Sequence, residues 1–169
     1  MTDLLEAAIS TLNRRQPSFF IGPRPGKKSM ANLTELNLTH CCTLLSQREQ
    51  ARNIEKICRE LQCQWIWLPI EGGRLDILRQ TDVAAHIVRL ANEVASTDNP
   101  RVYFHCSAGI HRTGFFVYCL LRLQGNDDEQ ARTELARLRP VTAEQVGNDR
   151  LKLADQLVAE LEQRAGTGS

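Results

Sequence analysis

The part of the sequence best suited to chemistry is a segment in which an arginine follows a cysteine after five intervening residues. It comes after an apolar run and consists of His105-Cys106-Ser107-Ala108-Gly109-Ile110-His111-Arg112-Thr113-Gly114. A phosphoryl group spreads its oxygens around phosphorus, so a ring of backbone N–H donors and a planar guanidinium hold it well. A tight loop between a strand and a helix N-terminus supplies those donors and the positive end of the helix dipole. Gly109 lets the backbone curl and Arg112 closes the ring, so residues 106–112 are predicted to form a phosphate-binding loop.

The same loop would make Cys106 a nucleophile. A free thiol has a pKa of about 8.5, and helix N-termini and cationic neighbours lower that value to about 3.5–7.5. A thiolate at the floor of the loop can attack phosphorus and form a phosphocysteine intermediate, which water then hydrolyses. We expect the Thr113 hydroxyl to hydrogen-bond the sulfur and ease its departure, and His105 to orient the loop rather than act as a base. Arg112 and the backbone donors stabilise the developing charge, so neither a metal nor another cofactor is expected.

The segment resembles the signature loop of the protein tyrosine and dual-specificity phosphatases, His-Cys-x5-Arg-Thr-Gly. Cys-x5-Arg alone would be a weak pattern, but the preceding apolar strand, the leading histidine, the central glycine and the trailing Thr-Gly make the resemblance specific. Fainter similarity to compact dual-specificity and kinase-associated phosphatases covers most of the chain, in residues 19–23, residues 38–44 and Arg139-Pro140. The resemblance implies a phosphatase domain that acts on protein phosphotyrosine, phosphoserine or phosphothreonine.

The resemblance also implies a general acid, which related phosphatases take from an aspartate on a mobile loop before the cysteine. Here the corresponding residues 68–76 are similar to the Asp-Gly-Gly-x-x-Asp stretch of the kinase-associated phosphatases, but Glu71 replaces the acid. A glutamate has the same carboxyl on a longer stem, so it can protonate the leaving oxygen if the loop lies slightly farther back. Asp76 is the second candidate, although it is also suited to cap the next helix. A site without a side-chain acid is the third possibility.

His111 lies immediately before Arg112, and two interpretations of it stay open. In one, its side chain adds partial positive charge that favours highly anionic substrates. Similar loops with a basic residue at this position occur in phosphatases that take inositol phosphates. In the other, the side chain points outward to contacts behind the loop.

The elements that must position this loop alternate between strands and helices. Apolar periodicity and turn residues predict strands at 18–22, 40–45, 64–68 and 101–104, and helices at 3–14, 47–61, 76–96, 110–123, 128–138 and 142–161. This alternation predicts an α/β domain with a central, mostly parallel sheet of four to five strands flanked by helices on both faces. Ligands bind such sheets where strand carboxyl ends meet helix N-termini, which is where the phosphate-binding loop falls. We expect one domain over residues 1–163 and a flexible tail at 164–169.

Composition narrows the class of protein further. The 169 residues are 42% apolar and 24% charged, with 21 basic and 20 acidic side chains, which is typical of a globular domain and gives no indication of nucleic acid binding. No apolar run approaches the roughly 20 residues of a membrane helix, and the acidic start is unlike a secretory signal, so a cytoplasmic protein is expected. The other cysteines are predicted to be reduced, small and buried rather than disulfide-bonded or zinc-binding: Cys41, Cys42, Cys58, Cys63 and Cys119.

Three functions fit these residues. The favoured one is a protein tyrosine or dual-specificity phosphatase, because this compact chain has no obvious room for the aromatic loop of the longer, deep-pocketed tyrosine-specific enzymes. The second is the same chemistry on inositol phosphates, phospholipids or RNA 5′ ends, which His111 favours and the otherwise neutral loop disfavours. The third is a catalytically silent module that binds a phosphorylated partner, against which the intact cysteine, arginine and threonine argue.

Overall fold

A parallel sheet forms the centre of the molecule. The computed structural model describes residues 2–166, and within them four strands lie in the order β1-β4-β2-β3: β1 (Ser18–Ile21), β2 (His40–Thr43), β3 (Gln64–Trp67) and β4 (Arg101–His105). All pairings are parallel, with Phe19 opposite Val102 and Cys41 opposite Tyr103. The α/β fold with a parallel sheet is therefore confirmed, and β4 is an inner strand whose carboxyl end leads into the phosphate-binding loop.

Helices cover both faces of this sheet. They are α1 (Thr2–Arg15), α2 (Met30–Glu35), α3 (Asn53–Leu61), α4 (Leu75–Gln80), α5 (Val83–Val94), α6 (His111–Leu123), α7 (Asp128–Leu138), α8 (Pro140–Gln145) and α9 (Asn148–Gly166), with short 3₁₀ helices at Lys27–Ser29 and Gln47–Glu49. The larger apolar core surrounds α6, which packs against α7, α8 and α9. A smaller cluster lies on the other side, where Leu33 of α2 and Ile54 of α3 meet Tyr103 of β4. None of the helices between Thr2 and Gly166 has the length and apolarity that crossing a bilayer requires.

Two predicted helices in the first half of the chain are broken in the structure. The one expected at 47–61 is a 3₁₀ turn followed by α3, because Gln50 adopts a left-handed conformation with φ 58°. The one expected at 76–96 is divided into α4 and α5 by Thr81, whose backbone is extended. Asp82 caps α5 by accepting a hydrogen bond from the Ala85 N–H. Asp76 lies inside the first turn of α4, so its predicted role as an N-cap is wrong.

The last predicted helix, at 142–161, is also two helices. Gly147 separates α8 from α9 with φ +91°, a conformation that ends α8 and that other residues rarely adopt. Helix α9 continues to Gly166, so residues 164–166 of the expected tail are helical, and residues 167–169 lie outside the described part. All six cysteines are free; the prediction of burial holds for Cys41, Cys42, Cys58 and Cys119, and it is wrong for the partly exposed Cys63.

Candidate active site

The phosphate-binding loop connects the end of β4 to the start of α6, as its position in the sequence predicts. Cys106 is only 3% exposed, whereas Ser107 and Ala108 are exposed to solvent. Gly109 has φ +70°, and a Cβ atom at this position would lie 2.1 Å from the carbonyl oxygen of Gly22. Both its conformation and the close approach of the chain after β1 therefore require glycine here.

The loop's carbonyl groups are held by donors from three other parts of the chain. Arg139 donates from Nη1 to the carbonyls of Ala108 and Gly109 at 2.8 and 3.0 Å, and the Thr142 hydroxyl donates to Gly109 at 2.6 Å. The Arg24 N–H donates to the Ser107 carbonyl at 2.9 Å. In a trans peptide the N–H points opposite to the C=O, so these contacts turn the N–H groups of residues 108–110 towards the interior of the loop.

His105 fixes the beginning of the loop. Its Nδ1 lies 3.0 Å from the carbonyl oxygen of Cys106, and its Nε2 lies 2.7 Å from the hydroxyl of Thr43, which also accepts a hydrogen bond from Trp65 Nε1 at 2.8 Å. These partners assign a tautomer in which Nδ1–H donates to the carbonyl and Nε2 accepts from Thr43. Burial lowers the pKa of His105 to about 4. The ring is thus neutral with both nitrogens occupied, which suits the predicted orienting role.

The surroundings of Cys106 favour its thiolate. Burial by itself would raise the pKa of the thiol, but the hydroxyl and N–H of Thr113, the charge of Arg112 and the Ile110 N–H outweigh it and bring the pKa below its ordinary value. The Thr113 hydroxyl is itself fully buried and meets hydrogen-bond geometry with no other group of residues 2–166. It is therefore free to serve the sulfur, the role that the sequence predicts for it.

Arg112 is held by a residue that the sequence analysis did not identify. Its Nη1 and Nη2 atoms donate to the two carboxylate oxygens of Glu49 at 2.7 and 2.8 Å, and Nη1 also donates to the Ile70 carbonyl at 3.0 Å. The hydrogen bond from Arg112 lowers the pKa of Glu49 to about 2. The contacts leave the Nε–H and one Nη2–H to bind phosphate oxygens. The Ser46-x-x-Glu49 pattern could have revealed the observed capping box, but not the pairing with Arg112.

The segment Pro69–Arg74, here called the acid loop, lies directly against the phosphate-binding loop. The carbonyl of Ile70 contacts Arg112, and a Cβ atom on Gly73 would lie 2.9 Å from the Cβ of His111. Glu71 lies between these two contacts and is exposed. Asp76 instead pairs with Arg74 at 2.7 Å on the exposed start of α4. The fold therefore brings the backbone at Glu71 to the site, whereas Asp76 is engaged elsewhere.

His111 is exposed at the rim of the loop. Partial desolvation, followed by the charge of Arg150, lowers its pKa, and the charge of Arg112 acts in the same direction. A neutral imidazole is thus expected at pH 7, and the positive charge at this side of the site comes from the two arginines.

Comparisons with known proteins agree with this geometry. The model of the tyrosine phosphatase family matches residues 24–165, whereas no curated protein sequence matches the chain significantly. The fold is similar to that of PTPMT1, with a TM-score of 0.65 at 20% identity over 89% of this chain and 95% of PTPMT1. The core catalytic domain of the PP-IP phosphatase SIW14 from S. cerevisiae gives a TM-score of 0.58 at 17% identity, over 81% and 79% of the two chains. TpbA from P. aeruginosa gives 0.54 at 18% identity, over 89% and 86%.

Proposed function

The chain belongs to the tyrosine phosphatase family, and on that premise we propose that it hydrolyses phosphorylated proteins through a phosphocysteine intermediate on Cys106. The observation that carries the proposal is the buried sulfur at the end of β4, whose pKa is lowered by Thr113, Arg112 and Ile110 despite its burial. A buried thiolate surrounded by inward N–H groups and one guanidinium suits attack on a dianionic phosphoryl group.

Each step has a residue to perform it. The Cys106 thiolate attacks phosphorus while Arg112 and the N–H groups of the phosphate-binding loop hold the non-bridging oxygens. Glu71 donates a proton to the departing oxygen, so that the substrate leaves as an alcohol. Water then attacks the phosphocysteine, and the Thr113 hydroxyl stabilises the sulfur as it leaves.

The exposure of the loop supports protein substrates of more than one kind. Ser107, Ala108 and His111 are all exposed, so the loop lies close to the molecular surface. Phosphoserine and phosphothreonine are shorter than phosphotyrosine and require a shallow site. A dual-specificity activity follows from this arrangement.

A second substrate class, the inositol phosphates and phosphoinositide head groups, is favoured by the charges beside the loop. Lys27 and Lys28 are exposed, and neither they nor Arg150 forms a salt bridge with any residue between 2 and 166. Unpaired cations near a phosphate site attract polyanionic ligands. PTPMT1 has been solved in complex with PI(5)P, and TpbA in complex with pTyr, so both substrate classes occur among proteins of this fold.

Phosphate release from an aryl phosphate in excess chelator tests the chemistry. We expect activity in the wild type and in Cys63→Ser, a control at a partly exposed thiol outside the site, and none in Cys106→Ser. Equal activity in Cys106→Ser would refute the mechanism. Comparison of kcat/KM for peptides containing phosphotyrosine, phosphoserine or phosphothreonine with inositol phosphates and phosphoinositide vesicles then identifies the substrate. A preference for the inositol compounds would overturn the protein assignment and leave the mechanism intact.

A further inference from the structure

We infer that Arg150 is a positioning residue for the general acid, because it attaches the acid loop to the start of α9 and thereby places Glu71 at the phosphoryl site. The inference rests on the proposed function, since it presumes that a proton is donated to a leaving oxygen. Arg150 would not touch the substrate; it would act through the backbone of the loop that carries the acid.

The contacts of Arg150 connect two distant parts of the chain. Its Nε donates to the carbonyl of Gly73 at 2.6 Å, and its Nη1 donates to the carbonyl of Val146 at 3.0 Å. The second bond holds the guanidinium against the end of α8, so the first one attaches the acid loop to a rigid element. Gly147 contributes as well, because a Cβ atom there would lie 3.2 Å from Arg150 Nη1.

The acid loop is held firmly on both sides of Glu71. On the amino-terminal side, the Pro69 carbonyl lies 2.9 Å from His86 Nε2, and Ile70 bonds through its N–H to Leu44 and through its carbonyl to Arg112. On the carboxyl-terminal side, the only side chain of residues 2–166 that hydrogen-bonds the loop backbone at Gly72 or Gly73 is Arg150. Only residues 71 and 72 lie free between the two attachments, so loss of the second one would release the backbone of the acid itself.

Two features indicate that Arg150 is not explained by local stability. It lies in the first turn of α9, where the helix dipole disfavours a cation. It is also partly buried and forms no salt bridge within the described chain, so its charge is not compensated by a carboxylate. A residue that is unfavourable in its own helix and is directed at the acid loop is best explained by what it does to that loop.

The inference predicts a dependence on the leaving group. A general acid contributes about 10²–10⁴-fold when the departing oxygen needs a proton and very little when it does not. Removal of Arg150 should therefore lower kcat/KM by about tenfold for phenyl phosphate, whose leaving group is basic, and by less than about twofold for 2,4-dinitrophenyl phosphate. A purely structural or substrate-binding role would lower both rates together.

The experiment compares Arg150→Met, Arg150→Lys, Glu71→Gln and the double variant on both substrates, with Lys152→Met as the control. Lys152 is an exposed cation two positions along the same helix, so its removal changes the charge equally without touching the acid loop. We expect the leaving-group dependence in Arg150→Met, partial recovery in Arg150→Lys, and a double variant no slower than Glu71→Gln. We also expect loss of the basic limb of the kcat/KM–pH profile in Glu71→Gln and its weakening in Arg150→Met.

Three outcomes would overturn the inference: equal losses on both substrates, additive losses in the double variant, or a leaving-group dependence in Arg150→Met that Glu71→Gln lacks. Retained hydrolysis of 2,4-dinitrophenyl phosphate shows that Arg150→Met is folded, and Arg150→Lys supplies the test if it is not. Cys106→Ser on the same substrate separates the two claims, because activity in that variant would refute the cysteine mechanism, whatever Arg150 does.

Discussion

Glu49→Gln should impair catalysis although Glu49 does not touch the reacting sulfur. The substitution keeps the shape of the side chain and removes the charge that holds both terminal nitrogens of Arg112. Arg112 would then keep the Ile70 carbonyl as its main anchor, and its planar fork would lose the orientation that phosphate binding requires.

The size of the effect follows from the pKa of Glu49. A fall from 4.5 to about 2 corresponds to about 3 kcal/mol if the pair were fully shielded from solvent. The Glu49 side chain is 32% exposed, so solvent screening reduces the coupling to about 1–2 kcal/mol. If that coupling is used to orient Arg112 in the transition state, kcat/KM should fall by about 5–30-fold.

The sign of the pH dependence provides an independent check. Because the folded state lowers the pKa of Glu49, its contribution to stability is complete above about pH 4.5 and is lost as pH falls towards about 2. The difference in unfolding free energy between wild type and Glu49→Gln should therefore be constant near neutrality and shrink in acid.

The measurements are kcat/KM for an aryl phosphate at pH 7 and denaturant unfolding from pH 7 down to pH 3. Glu55→Gln is the matched control, since Glu55 lies nearby on α3 and pairs only loosely with Arg59 at 4.0 Å. Unchanged kcat/KM in a folded Glu49→Gln protein, or a stability difference that ignores pH, would refute this reasoning.

Three further substitutions test other parts of the site. Thr113→Val should raise the pKa of the Cys106 thiol, moving the acidic limb of the kcat/KM–pH profile upward and letting phosphoenzyme accumulate in rapid-quench mass spectrometry; an unmoved limb would contradict this. Gly109→Ala should abolish hydrolysis and cost about 1–3 kcal/mol in thermal unfolding, because the new methyl meets the Gly22 carbonyl, and an active variant would be incompatible with the loop geometry. His105→Gln should remove a slope: the wild type loses up to about 3 kcal/mol of stability as pH falls from 6.5 to about 4, since only the unfolded chain binds the proton there. Parallel pH–stability curves for the two proteins would argue against a buried neutral His105.

Features that depend on neighbouring residues were predictable from the sequence. The four strands were anticipated because each is a short apolar run between turn residues. Helix α7 has the predicted bounds, and its start is fixed by Asp127, whose side chain accepts from the Gln130 N–H three residues later. The phosphate-binding loop also belongs to this class, since the spacing between Cys106 and Arg112 is itself the signal.

Features that depend on distant packing were not predictable in the same way. Gln50 adopts its left-handed conformation without the glycine or asparagine that usually indicates one. Gly147 was a visible signal for the break between α8 and α9, but apolar periodicity on both sides of it concealed the boundary. The pair of Glu49 and Arg112 joins positions 63 residues apart, and no local pattern indicates such a contact.

The attachments of the phosphate-binding loop have a consequence for how the enzyme is made. Gly22 and Arg24 contact the loop from the first strand region, and Arg139 and Thr142 contact it from beyond α7. Contacts between such remote segments close large loops in the chain and form late in folding, at an entropic cost. Until residues on both sides have docked, the newly synthesised cysteine is an ordinary thiol that oxidants attack slowly. Its reactivity is thus switched on by completion of the fold.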